Sequence, residues 1–136
     1  MANAVYTKAK ESLLKGQINT TASNYKVLLI DSNEYTVNIS SDQFVSDIPS
    51  NAIKATSSNL SNITSTNGIL NADDIVIDHS GEAFDAIALY QVGSSNSDSR
   101  LILYIDNSEG LPFEGTNSNI SITIFWSDTV SKILSL

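Results

Sequence analysis

The 136-residue chain contains no cysteine and a single histidine, His79. The absence of cysteine excludes thiol catalysis, disulfide bonds and cysteine-ligated metal sites. His79 lies between Asp78 and Ser80, but three consecutive residues cannot form a catalytic triad, whose groups converge from separate segments. We therefore expect His79 to lie in a turn between two strands and the protein to have no enzymatic activity.

Long apolar segments are also missing. No stretch approaches the roughly 20 apolar residues of a membrane span, and residues 1–17 lack the apolar segment of a signal peptide. The six glycines never form a phosphate-binding motif. Because 15 acidic residues face seven basic ones, for a net charge of −8, a nucleic-acid-binding surface is not expected. We expect no membrane partner, no nucleic acid and no cofactor.

Carboxylates are close together in two parts of the sequence: Asp73, Asp74 and Asp78 in one, and Asp106, Glu109 and Glu114 in the other. Carboxylate oxygens in a flexible loop are the ligands that calcium prefers. The second group lacks the spacing of an EF-hand loop. We interpret both groups as solvated acidic turns, with calcium binding as the alternative.

The sequence predicts one short helix over residues 1–16. Its apolar residues recur at three- and four-residue spacing: Val5, Tyr6, Ala9, Leu13 and Leu14. Asn3 can cap the start, and Gly16 is placed to end the helix in the left-handed conformation.

The rest of the chain predicts an all-β fold. Short apolar or alternating segments predict strands near 26–30, 35–39, 60–66, 69–78, 84–92, 101–106, 120–126 and 133–136. Residues 41–48 predict one or two helical turns, and Asn67-Gly68 is a strong hairpin signal. Ile122, Ile124 and Trp126 should face inward together. The expected architecture is a single domain, residues 1–136, in which an antiparallel β-sandwich of about seven or eight strands (25–136) follows the N-terminal helix.

Charge is distributed unevenly along the chain. Residues 1–26 hold four lysines and one glutamate, a net of +3, whereas the remainder holds three basic and 14 acidic residues, a net of −11. A basic helical end on an acidic body can orient a small protein on a partner surface. A simply solvated helix face is the alternative.

Several segments, taken in order, resemble a family of small structural proteins in the virions of tailed bacteriophages, including phages of cyanobacteria. They are Ala4-Val5-Tyr6, Lys8-Ala9-Lys10, Gly16, Lys26-Val27-Leu28-Leu29-Ile30-Asp31, Tyr35-Thr36-Val37-Asn38, Phe44-Val45-Ser46-Asp47-Ile48-Pro49, Ala72-Asp73-Asp74, Ala86-Ile87-Ala88-Leu89-Tyr90, Leu101-Ile102-Leu103-Tyr104-Ile105-Asp106 and Gly110-Leu111-Pro112-Phe113.

This resemblance implies a non-enzymatic virion component, made in the cytoplasm of a host bacterium. The favoured role is a capsid decoration, or cement, protein that binds and stabilises the assembled head. Its partners would be the major capsid protein or other virion proteins, and further copies of itself, with a trimer favoured. A neck, tail or fibre-attachment component is the alternative. A carbohydrate-binding β-sandwich would instead use exposed aromatics such as Tyr90, Tyr104 or Trp126. These residues lie in strongly alternating or apolar segments, so we expect them to pack in the core.

Two apolar segments beside turn residues are the predicted partner-binding surface. The helix supplies Tyr6, Lys8, Lys10 and Leu13, and the loop after Gly110 supplies Leu111, Pro112 and Phe113. On this interpretation the helix is an appendage, so that removal of residues 1–15 would leave the sandwich folded.

Overall fold

The computed structural model describes residues 4–18, 24–66, 69–106, 111–116, 118–124 and 134–135. Within them lie one α-helix, two single 3₁₀ turns and ten strands. These are β1 (Ala4–Val5), α1 (Thr7–Leu14), β2 (Tyr25–Ile30), the 3₁₀ turns Val45–Asp47 and Ser50–Ala52, β3 (Ile53–Thr56), β4 (Thr64–Thr66), β5 (Ile69–Asn71), β6 (Ile75–His79), β7 (Ala86–Gln91), β8 (Arg100–Ile105), β9 (Ile120–Ile124) and β10 (Leu134–Ser135). The predicted mainly-β fold with one short helix is confirmed.

The strands form three antiparallel sheets. The largest has five strands in the order β1-β8-β7-β2-β3, the second has the order β10-β5-β4, and the third pairs β6 with β9. Strands β4 and β5 pair in the register that a two-residue turn at 67–68 requires, as the hairpin signal predicts. The turn residues themselves lie outside the described ranges.

The centre of the five-stranded sheet is buried on both faces. Its strands β2, β7 and β8 are nearly continuous apolar runs, the pattern typical of strands covered on both sides. Leu28, Ala88 and Tyr104 lie opposite one another in neighbouring strands and so share one face. There the ring of Tyr104 meets the ring of Tyr35 edge-on at 6.2 Å, and α1 packs against β8.

The β6–β9 ladder has only one buried face. Its burial alternates along β6, and Ile75 and Ile77 lie opposite Ile124 and Ile122. All four pack with the core. The predicted inward orientation of Ile122 and Ile124 is therefore confirmed, while Trp126 lies outside the described residues.

Three predicted elements differ from the structure. Residues 35–39 form no ladder, although Tyr35 is buried as the alternation predicts. The helical turns predicted at 41–48 reduce to the 3₁₀ turn Val45–Asp47, because the Asp47 carboxylate accepts the backbone N–H groups of Gln43 and Phe44 and fixes a tight turn at that point. The predicted strand 69–78 is interrupted at 72–74.

The N-terminal helix is shorter than the predicted 1–16. Ala4 and Val5 form strand β1 because they pair with Tyr104 and Leu103 of β8, and the helix begins only after Tyr6. Asn3, the predicted cap, lies outside the described residues. Gly16 has φ +73° and follows the helix end, so the predicted left-handed stop is confirmed.

The helix is not an appendage. Tyr6 and Ala9 are almost fully buried and belong to the same cluster of core residues as β2, β7 and β8. Removal of the helix would uncover this part of the core, so the expectation that it is dispensable is wrong.

Candidate partner-binding surface

Tyr6 fastens the start of α1 to the body of the protein. Its side chain is 0% exposed, and its hydroxyl lies 3.1 Å from that of Tyr35. The Tyr35 hydroxyl in turn donates to Asp42 Oδ2 at 2.6 Å. Burial raises the pKa of both tyrosines well above the usual range. Tyr6, predicted to bind a partner, is therefore a core residue, because its ring fills the space between the helix and the segment that holds Tyr35.

The end of α1 is held by a cation. The Arg100 guanidinium donates to Ser12 Oγ at 3.2 Å and lies 5.3 Å from the centre of the Phe44 ring, a cation–π distance. Ser12 is buried on the face of α1 that meets the body. The sequence does not indicate this contact, because Arg100 lies 88 residues from Ser12 and leaves no local signal.

The outward face of α1 combines basic residues with one apolar side chain. Lys10 and Lys15 are exposed, and Lys8 pairs with Glu11 at 3.3 Å. Leu14 is 91% exposed. Leu14 belongs to the apolar spacing that predicts the helix, but Ala9 and Ser12 occupy the inner face, and Leu14 lies about 200° around the helix from Ser12.

Leu13, a predicted contact residue, is half-buried and packs against the core. Of the four helix residues that the sequence analysis selected, only Lys8 and Lys10 are thus available on the outer face. We use the name outer helix face for Lys8, Lys10, Glu11, Leu14 and Lys15.

The predicted loop also contributes less surface than expected. Leu111 and Phe113 are half-buried against the core, and Pro112 is exposed. The ring of Phe113 packs 5.1 Å from that of Phe84, and their backbones form a pair of hydrogen bonds of 2.8 and 3.1 Å. The Phe113 ring is therefore occupied within the chain, which leaves Pro112 as the accessible residue of this segment.

The helix and the loop lie at opposite ends of β7. The helix end contacts Arg100, which pairs with Gln91 at the end of β7. The loop pairs with Phe84, just before the start of β7. A six-residue strand spans about 17 Å, so the two predicted parts form separate surfaces and not one continuous site.

His79 does not lie in a turn, contrary to the expectation. It is the last residue of β6 and is buried, because it follows Ile75 and Ile77 at two-residue spacing on the inner face. Its ring contacts those of Phe84 and Phe113, with centroids 5.4 and 5.9 Å away. Phe113 comes from a distant segment, which the local sequence could not indicate, whereas Phe84 lies five residues after His79.

Two carboxylates of the first acidic group accept hydrogen bonds from neighbouring polar side chains. Asp73 accepts a hydrogen bond from Asn62 at 2.6 Å, and Asp78 accepts one from Ser121 at 2.9 Å. Among the described residues, no three histidine or acidic side chains come together to hold a metal ion. Glu109 lies outside the described ranges, so the calcium alternative for its group stays a prediction.

Two of the three aromatics of the carbohydrate-binding alternative are not surface residues. Tyr90 and Tyr104 are buried in β7 and β8, and burial raises the pKa of Tyr104 to about 12. Trp126 lies outside the described residues. Tyr90 and Tyr104 are therefore core residues, as their positions in apolar strands predict, and the carbohydrate-binding alternative loses two of its three aromatics.

Comparison with known proteins adds no relationship. The chain matches no protein-family model and no curated protein. None of the helices in the described ranges has the length and apolar character to cross a membrane.

Proposed function

We propose that this chain is a non-enzymatic structural protein of a tailed bacteriophage particle, and within the particle a capsid decoration protein that binds the assembled head. The outer helix face would make the principal contact. The observation that carries this proposal is the exposure of Leu14, an apolar side chain that is 91% exposed and lies among three lysines. Residues 27–136, in contrast, have a net charge of −11.

The segments that resemble phage virion proteins include the three most buried strands. They include the sequences of β2, β7 and β8, with the opening segment that forms β1 and the start of α1. The resemblance therefore concerns residues that determine the fold, and it supports a shared architecture more strongly than a shared contact surface.

The physical chemistry of the outer helix face suits attachment to an acidic protein surface. Burial of an exposed leucine contributes about 2 kcal/mol, whereas each surface ion pair contributes little. Lysines around the leucine mainly guide association and exclude basic partners. One such contact is weak, so many copies or an oligomer would be needed for stable attachment.

A symmetric oligomer would supply that multiplicity. A trimer at a local three-fold position of the shell, the arrangement favoured from the sequence, would place three outer helix faces against neighbouring subunits of the major capsid protein. Binding to the assembled shell and not to dispersed subunits stabilises the shell by mass action.

The number of copies per particle tests this function. Quantitative mass spectrometry of purified particles should find the chain in the virion at hundreds of copies, and empty heads separated from tails should retain it. A dozen copies that remain with the tail fraction would instead support the neck or tail alternative. Absence from purified particles would contradict both.

A further inference from the structure

A pocket of about 530 Å³ opens to solvent at one end of the β6–β9 ladder. The register of the ladder forms it, since His79 lies opposite Ile120 and Asp78 lies opposite Ser121. We use the name ladder pocket for it. None of its lining residues belongs to the outer helix face, so it is a separate surface. The lining residues are Asp78, His79, Ser80, Asn119, Ile120 and Ser121.

Polar side chains form the rim of the ladder pocket. Asp78, Ser80, Asn119 and Ser121 are exposed and supply a carboxylate, an amide and two hydroxyl groups. Ser121 Oγ donates to Asp78 Oδ1 at 2.9 Å, which orients the carboxylate while its oxygens can accept further hydrogen bonds. Among the six lining residues only Ile120 is apolar, and it is half-buried. The pocket therefore presents donors and acceptors beside a small apolar surface.

His79 is the innermost residue of the lining, with 5% of its surface exposed. The backbone N–H of Gly81 donates to His79 Nδ1 at 2.7 Å. Because a backbone N–H can only donate, the neutral ring has its proton on Nε2. Nε2 is buried and has no hydrogen-bond partner among the described residues. A buried donor without an acceptor is unfavourable, so a ligand oxygen that reached this atom would be bound favourably.

Gly81 holds the two lining segments together. Its carbonyl accepts the N–H of Thr116 at 2.7 Å. Its φ is +91°, and an added Cβ would collide with the carbonyl oxygen of Ser118, the residue before Asn119. This close approach fixes the two sides of the pocket relative to each other. A pocket that is formed before binding loses less conformational entropy when a ligand enters.

The charges of the ladder pocket select the class of ligand. None of its lining residues is a lysine or arginine, so an anion would meet the Asp78 carboxylate on a chain of net charge −8. No three histidine or acidic side chains within the described ranges come together to hold a metal ion. An ammonium group only donates, and an apolar ligand would leave the rim without partners. A neutral ligand with several hydroxyl groups fits best.

We propose that the ladder pocket binds one unit of a neutral sugar. Asp78 and Asn119 would bond neighbouring hydroxyl groups, and Ile120 would contact the C–H groups of the sugar ring. A sugar hydroxyl both donates and accepts, which matches the mixture of groups on the rim. The volume of the pocket lies within the range of small-molecule sites, about 300–1,000 Å³.

This site differs from the carbohydrate-binding alternative that the sequence suggested, because it needs no stacking aromatic side chain. It also does not depend on the proposed function. The outer helix face and the ladder pocket share no residue, so one chain can use both surfaces.

Two-dimensional NMR of the isotopically labelled protein tests the sugar site. Glucose, galactose and N-acetylglucosamine are each titrated, and at least one should shift the amide signals of Ser80, Asn119 and Ser121, with saturation at a dissociation constant of about a millimolar. The ring signals of His79, the only histidine, should shift in the same titration. Inorganic phosphate, the anionic control, should leave all these signals in place.

A longer ligand identifies the source of the sugar. A linear oligomer of the sugar that binds, maltohexaose in the case of glucose, is titrated in the same way. Tighter binding of the oligomer supports a site for a polysaccharide chain, and equal or weaker binding supports a site for a free sugar.

Matched variants separate the ladder pocket from the general charge of the surface. Asp78→Asn removes the charge at constant size and should weaken sugar binding about tenfold. Asn119→Ala should weaken it about threefold to tenfold. Asp73→Asn is the control, because Asp73 is also exposed and accepts a hydrogen bond from Asn62 at 2.6 Å but lies outside the pocket. It should bind sugar like the wild type.

Four results would each overturn the sugar site. They are no saturable shift with any of the three sugars, shifts that leave the amides of 78–80 and 119–121 unchanged, an equal response to inorganic phosphate, and equal affinity of Asp78→Asn and Asp73→Asn. The first three need only the wild-type protein, so they stand even where a variant fails to fold. Because the proposed function is tested by copies per particle, failure of the sugar site would leave it unaffected.

Discussion

The five-stranded sheet and the β6–β9 ladder differ in how they are covered, and their sequences reflect the difference. Strands β2, β7 and β8 are buried on both faces, whereas β6 and β9 alternate between inner and outer side chains. The two regions also differ in the hydrogen bonding of their buried polar side chains. Hydrogen bonds from Tyr6 through Tyr35 to Asp42 hold the helix over the large sheet, while beside the ladder the buried Nε2 of His79 has no hydrogen-bond partner in the described part of the chain. We infer that stability is concentrated in the large sheet and that the small ladder opens first.

Truncation of an inward-facing side chain should lower the free energy of unfolding more in the five-stranded sheet than in the β6–β9 ladder. Leu28→Ala removes a side chain that is buried in β2 and should lower the free energy of unfolding by about 3 kcal/mol. Ile122→Ala, in the half-buried β9, should cost about 1 kcal/mol. Urea denaturation measures both, and equal losses would contradict the inferred difference between the two regions.

Two glycines with positive φ should differ in their tolerance of alanine. Gly81→Ala combines φ +91° with a close approach to Thr116 and should cost about 2 to 3 kcal/mol. Gly16→Ala, at φ +73° in open space, should cost about 1 kcal/mol. Thermal unfolding compares the two. A smaller loss of stability at Gly81 than at Gly16 would mean that the backbone around Gly81 can move away from Thr116.

The hydrogen-bonded chain from Tyr6 through Tyr35 to Asp42 should contribute more to the free energy of unfolding than a single hydrogen bond does. Tyr35→Phe removes the hydroxyl that joins Tyr6 to Asp42 and should cost about 2 kcal/mol, because it leaves buried polar atoms without that partner. Tyr6→Phe removes only the hydroxyl at the end of this chain and should cost about 1 kcal/mol. In the same denaturation assay, the double variant should lose less free energy of unfolding than the two single variants together. Strict additivity would contradict coupling between the two hydroxyl groups.

Alkaline pH should unfold the protein before its tyrosines ionise freely. Burial raises the pKa of Tyr25 and Tyr104 to about 12 and raises that of the other three tyrosines, Tyr6, Tyr35 and Tyr90. Since an unfolded tyrosine ionises near pH 10, stability is complete below that pH and falls as pH rises towards 12. Tyrosinate absorbance should therefore rise together with loss of circular dichroism. Ionisation near pH 10 with the fold intact would contradict this burial.

Much of the fold could be predicted because local patterns carry it. Continuous apolar runs predicted β2, β7 and β8, and alternation predicted β9 and its inner face. The pairing of β4 with β5 followed from the hairpin signal Asn67-Gly68. In each case the information lies within about ten residues.

The candidate site was harder to predict because distant contacts decide which side chains are exposed. Tyr6 looked like a surface residue of an amphipathic helix, but Tyr35 covers it. Leu14 follows the apolar spacing of the helix but is exposed, because Ser12 takes the inner position that Arg100 reaches. His79 followed the alternation of β6, but Phe113 could not be recognised as its neighbour without the tertiary fold.

Binding of the outer helix face to particles tests the central claim most directly. Leu14→Ser should leave stability within about 0.5 kcal/mol of wild type but weaken binding of the purified protein to heads that lack it by about tenfold or more, the value of about 1.4 kcal/mol. Val76→Ser is the matched control, since Val76 is also apolar and 56% exposed but lies on β6. We predict that Val76→Ser binds heads like wild type; full binding by Leu14→Ser, or loss of binding by Val76→Ser alone, would contradict the account.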